Sequence, residues 1–122
     1  MVFHYNEDES VTTLDPAYVK SQSEIWIVSQ IFNGLVDLNP QLQVVPALSD
    51  HWEISEDKKI YTFYLRPTAR WSNNDPVTAH DFVFSFQRAV DPKVAAAQSF
   101  YLFGIINAQD IVKGKKPFVM LL

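Results

Sequence analysis

The segment from Tyr61 to Pro92 constrains this chain more than any other, because three kinds of local order follow one another without a gap. Ile60-Tyr61-Thr62-Phe63-Tyr64-Leu65 alternates in the period of a strand, with Tyr61, Phe63 and Leu65 on one side. Trp71 to Pro76 is rich in turn formers. Thr78-Ala79-His80-Asp81 then has the spacing of a capping box, in which Thr78 accepts from the Asp81 amide and Asp81 reaches back. Phe82, Phe86, Ala89 and Val90 recur at helical spacing, so a helix is expected from Ala79 to about Ala89, ended by Asp91-Pro92.

Upstream, Trp52-Glu53-Ile54-Ser55 also alternates, and the polar run Glu56-Asp57-Lys58-Lys59 makes it the antiparallel partner of Ile60 to Leu65. Ser23 followed by an apolar run predicts a helix to Phe32, with Asn33-Gly34 as its stop. Short strands are expected at Val2 to Tyr5 and Leu35 to Leu38, the latter closing at an Asn39-Pro40 turn, and helical turns within Lys93 to Phe103 and Ile106 to Val112. These elements give an α/β fold with an antiparallel hairpin and packed helices.

At 122 residues and 48% hydrophobic content the chain is expected to form a single unit around one core. Its formal charge of -4 opposes nucleic acid as a partner. Cysteine is absent, and His4, His51 and His80 lack metal-binding spacing, so no metal and no cofactor is expected. The glycines are too dispersed to cradle phosphate, no nucleophile elbow occurs, and no enzymatic activity is expected. Carboxylates at Asp50, Glu53, Glu56 and Asp57 read as the solvent face of the hairpin rather than as an acid/base pair. The opening Met1-Val2-Phe3-His4 turns polar sooner than a signal peptide does, so no leader is expected within it. The closing run Phe118-Val119-Met120-Leu121-Leu122 reads as an exposed apolar end, from which self-association is expected.

Several blocks occur in an order that resembles bacterial extracellular solute-binding proteins of the oligopeptide-binding type. They are Leu14-Asp15-Pro16, Ile31-Phe32-Asn33-Gly34-Leu35, Pro46-Ala47 with Trp52, Tyr61 to Arg66, Trp71-Ser72 with Asp75 to Ala79, Asp81 to Ser85, Val90-Asp91-Pro92 and Gly114 to Pro117. The resemblance implies part of a periplasmic-binding-protein type II fold with a mixed sheet: an N-terminal fragment holding the start of the first main lobe and most of an extra lobe. It implies peptide capture for uptake, with an ABC transporter permease as partner and a periplasmic location. The same superfamily takes up dipeptides, cell-wall peptides, haem and nickel complexes, and a remnant lobe without ligand is the remaining alternative. By position the resemblance assigns ligand contact to Lys20, Ser21, Gln22, Ser23 and Gln98. This chain departs from the closest family pattern at two of these, with Lys20 in place of an acidic residue and Gln98 in place of an aromatic one.

Overall fold

The computed structural model describes residues 10–121. The strand expected at Val2 to Tyr5 lies outside them. Contacts group the chain into two compact units, one comprising Met1–Ile31 and Phe82–Leu122, the other Phe32–Asp81; its length alone had suggested one.

The second unit is built from two antiparallel hairpins. Strand β1 (Val36–Leu38) pairs with β2 (Val44–Pro46), and β3 (Ser49–Ile54) pairs with β4 (Tyr61–Leu65). The second hairpin is the expected antiparallel pair, with Trp52 opposite Phe63, His51 stacked on Tyr64 at 4.3 Å and a register shift between Ser49 and His51. Its turn is tied by Ser55: Lys58 N donates to the Ser55 carbonyl (2.8 Å) and Ile60 N to the Ser55 hydroxyl (3.0 Å). The first hairpin had not been read from sequence. Its loop is organised by Asn39, whose side-chain oxygen accepts from the amides of Gln41 (3.0 Å) and Gln43 (2.9 Å), the local bonding that makes asparagine a turn residue. The two hairpins are joined through Ser49, which is fully buried and donates both its amide (3.0 Å) and its hydroxyl (2.6 Å) to the Leu35 carbonyl. Trp71, in the signature turn, stays 42% exposed while its backbone closes the turn on Asp75 and Asn74.

Helix α1 (Gln22–Ile31) and helix α2 (Ala79–Val90) agree with expectation to within a residue at each end. Two details of their termini differ. Gly34 carries no left-handed turn after α1; what restricts it is space, since a Cβ there would lie 3.1 Å from the Val36 carbonyl oxygen. At Thr78 the expected acceptor is a donor: its hydroxyl donates to Asp81 Oδ2 (2.9 Å) beside its own amide (2.7 Å), and the Asp81 amide bonds the Thr78 carbonyl (3.1 Å).

In the first unit, Val90, Ala108, Ile111 and Leu121 form the buried cluster, with Phe86, Leu102, Ile105 and Val112 packed around it. The expected helical turns are a 3₁₀ turn at Ser99–Leu102 and α3 (Ala108–Val112). Gly114 ends α3 at φ 70°, its amide bonding Ile111 O and the Lys115 amide bonding Asp110 O, the arrangement that favours glycine after a helix. The apolar end is not wholly exposed, as the sequence had suggested. Residues Phe118–Met120 form a second 3₁₀ turn, held by Asn107 Nδ2 donating to the Met120 carbonyl (2.8 Å), and Leu121 is sealed in the core at 1% exposure.

Candidate functional site: a doubly anchored loop

The loop that leads into α1 is pinned at both ends. At its start, Tyr18 N bonds the Asp15 carbonyl (3.0 Å) and Ala17 N bonds Asp15 Oδ1 (3.0 Å), closing a turn around Pro16. The Asp15 carboxylate also accepts two parallel bonds from the Arg88 guanidinium of α2, at 2.7 and 2.6 Å, the paired geometry in which arginine binds carboxylates most specifically. Tyr18 lies with its ring centroid 5.3 Å from the same guanidinium. The Arg88 bonds hold the Asp15 carboxyl below the usual carboxylate range.

At its end, the loop closes on Glu24. The Glu24 amide bonds the Ser21 hydroxyl oxygen (3.2 Å) and the Ser21 amide returns a bond to Glu24 Oε2 (3.3 Å), so Ser21-Gln22-Ser23-Glu24 is a reciprocal capping box. The carboxylate does more than cap. Oε2 also accepts the Lys20 amide (2.9 Å), and Oε1 accepts the amide (3.0 Å) and hydroxyl of Thr12. Glu24 is only 3% exposed, and its four donors match the roughly four acceptor positions of an ionised carboxylate. The Thr12 hydroxyl, followed by the amides of Lys20, Thr12 and Ser21, draws its pKa down to about 2. An acid of that strength with its oxygens occupied is a poor proton acceptor near neutral pH. Its effect is to fix the loop to the preceding strand of chain and to the helix start.

Around this anchor lies a groove of about 450 Å3 lined by Ser10, Thr12, Lys20, Ser21 and Glu24. Of the residues assigned from the family pattern, Lys20 and Ser21 therefore line one groove. Lys20 is exposed, Ser21 half-buried, and Gln22 exposed on the first turn of α1. Ser23 is buried at 7% exposure, and half-buried Gln98 precedes the 3₁₀ turn at Ser99 without lining the groove. Thr12, Asp15, Glu24 and Arg88 were not singled out for this role. The S-x-x-E spacing of Ser21 and Glu24 was a readable signal, whereas nothing local links Thr12 to Glu24 or Asp15 to Arg88. Among the described residues, no group of three or more His, Asp and Glu side chains is placed to hold a metal ion. No helix among them is long and apolar enough to cross a membrane.

Residues 43–117 match the family described as bacterial extracellular solute-binding proteins, family 5 Middle. The chain belongs to that family. It is 45% identical over 98% of its length to the probable deoxycholate-binding periplasmic protein YgiS of Escherichia coli, and 42% identical over 91% to the periplasmic oligopeptide-binding protein OppA of Haemophilus influenzae. Among solved structures, that of Listeria monocytogenes OppA bound to peptide superposes with a TM-score of 0.90 and 40% identity over 94% of this chain. The α/β architecture is thus the one that the family pattern implied. The match takes up 23% of YgiS, 21% of Haemophilus OppA and 23% of the Listeria chain, so this chain spans under a quarter of the length of these relatives.

Proposed function

We propose that this chain is the N-terminal part of an extracellular receptor that captures peptides in the periplasm and delivers them to an ABC transporter permease. The observation that carries this reading is the likeness, at a TM-score of 0.90 and 40% identity, to a receptor described as bound to peptide. The doubly anchored loop supports it. A peptide gripped through its main chain needs a wall that does not rearrange, and a loop held by Arg88 at one end and Glu24 at the other is such a wall. Lys20, Ser21 and Gln22 are then the contacts nearest the ligand, Ser23 supports them from within, and Gln98 belongs to a separate stretch of the same unit.

One wall is not a cleft. A flexible peptide on this groove alone would make few main-chain bonds, and ordering it costs several kcal/mol. Calorimetric titration with a pool of tri- to pentapeptides is expected to show no binding by this chain and micromolar binding by a full-length family receptor carrying it in place of its matching segment. Micromolar binding by the chain alone, or none by the longer protein, would overturn the reading. In the longer protein Lys20→Glu is expected to move preference away from acidic peptides.

A second reading rests on a different observation. YgiS is named for deoxycholate, and an ammonium at the edge of the groove suits a carboxylate on a non-peptide solute equally well. Deoxycholate in the same titration separates the two, since each predicts heat from one ligand class and silence from the other.

A further inference from the structure

The groove around Glu24 holds one acid and one base, and only the base is open to a ligand. The Glu24 carboxylate is 3% exposed, and its acceptor positions are filled from within by the amides of Thr12, Lys20 and Ser21 and by the Thr12 hydroxyl. A ligand amine needs a free acceptor, and Glu24 has none to give. Lys20, by contrast, is exposed and enters no ion pair with the acidic side chains among the described residues. The Ser21 hydroxyl oxygen accepts from the Glu24 amide, which leaves its proton to donate. What this part of the groove has left to offer is donors. Glu24 also governs where they stand: its Oε2 holds the Lys20 amide at 2.9 Å and the Ser21 amide at 3.3 Å, so both donors hang from backbone fixed by a carboxylate that the ligand does not reach.

We propose that the groove selects solutes by an anionic group and turns away amines, and that Glu24 is the positioning residue behind that choice: it gives the ligand no acceptor and holds Lys20 and Ser21 in place. This rests on the reading of the chain as part of a solute receptor. Selection of this kind needs both an attraction for the right group and a penalty for the wrong one; Lys20 supplies the first and the filled carboxylate the second. A carboxylate on a peptide side chain and one on a bile acid present the same chemistry to Lys20, and two ligand series tell these sources apart.

The test uses a full-length family receptor carrying this chain in place of its matching segment. One series consists of tripeptides that differ only in a central glutamate, glutamine or lysine; the other of deoxycholate, its methyl ester and its aminoethyl amide. In calorimetric titration the anionic member of at least one series is expected to bind about fivefold more tightly than the neutral one, as an exposed ion pair allows, and the amine more weakly than either. Lys20→Met should bring the anionic-to-neutral ratio to about one. Glu24→Gln, which puts an amide donor where the loop needs acceptors, should lower that ratio severalfold, and should leave it unaltered where Lys20→Met is already present. A role in stability alone would weaken all ligands alike. Thr12→Val removes one donor and frees one Glu24 acceptor position, so it is expected to improve binding of the amine about threefold, a result that decides the role of Glu24 even if Glu24→Gln fails to fold. A ratio near one before any substitution, a ratio that Lys20→Met or Glu24→Gln leaves unchanged, no gain from Thr12→Val, or silence of both series overturns the proposal. Preference confined to the deoxycholate series keeps the proposal and removes the peptide reading, whereas peptide binding without preference does the reverse.

Discussion

Two helices of this chain begin with the same four-residue device, and the two versions behave differently. At Ser21–Glu24 the box is reciprocal, and its carboxylate is buried under two further bonds from Thr12 and one from the Lys20 amide. At Thr78–Asp81 every side-chain bond runs one way, from Thr78 to the carboxylate, and the pair stands toward solvent. The motif supplies a local hydrogen-bonding option; whether it also organises a site depends on what the fold brings against it. Beside α1 it brings Thr12 and Lys20 to the carboxylate, and beside α2 Thr78 holds the carboxylate through its own amide and hydroxyl.

The largest effect is expected from Glu24→Ala, which leaves the amides of Thr12, Lys20 and Ser21 without the buried carboxylate that accepts from them. The loss in melting temperature is expected to exceed that of Asp81→Ala severalfold, with new hydrogen exchange in residues 12–24. Equal losses for the two variants would mean that burial adds nothing to the box.

Acid titration sharpens the same contrast. The Glu24 carboxyl titrates at about 2 in the folded chain against an ordinary 4.5. A depressed pKa contributes stability that is complete above the ordinary value and is lost as pH falls through the folded one. Stability is therefore expected to decline from about pH 4.5 to about pH 2, and Glu24→Gln to flatten that limb while lowering the plateau. Asp81 is also held low, chiefly by the Thr78 amide, so Asp81→Asn should trim the limb without removing it.

At the other anchor, Arg88→Met removes both bonds to Asp15. Because the pair is about a third exposed, the expected cost is about 1 kcal/mol, seen as a lower denaturation midpoint at an unchanged slope. Thr78→Ala should cost less, about 0.5 kcal/mol, because the Asp81 amide keeps its bond to the Thr78 carbonyl and only a hydroxyl donor is lost. A cost near 2 kcal/mol would show that the hydroxyl accepts in solution after all. The smallest effect is expected at Phe84, 66% exposed on α2, where substitution by alanine should stay within about 0.5 kcal/mol.

Sequence alone determined the elements whose cause is local. The β3–β4 hairpin was readable because alternation with period two fixes which residues face together, and a polar interruption marks the turn. Helix α2 was readable from its periodicity and its first-turn spacing, and α1 from an apolar run between Ser23 and an Asn33-Gly34 stop. The ordered blocks from Leu14 to Pro117 carried the family. Tertiary structure decided the rest. Pairing of Val36–Leu38 with Val44–Pro46 depends on Asn39 organising a loop whose residues have no strong pattern of their own. Whether Leu121 hangs free or fills a core depends on a pocket lined by Val90, Ala108 and Ile111. The groove shows the division most clearly: the family resemblance pointed to Lys20 and Ser21, but Thr12 is twelve positions from Glu24 and Asp15 seventy-three from Arg88. Hydrogen bonds and ion pairs of that span leave no periodic trace in a sequence, because their geometry exists only once the chain has folded back on itself.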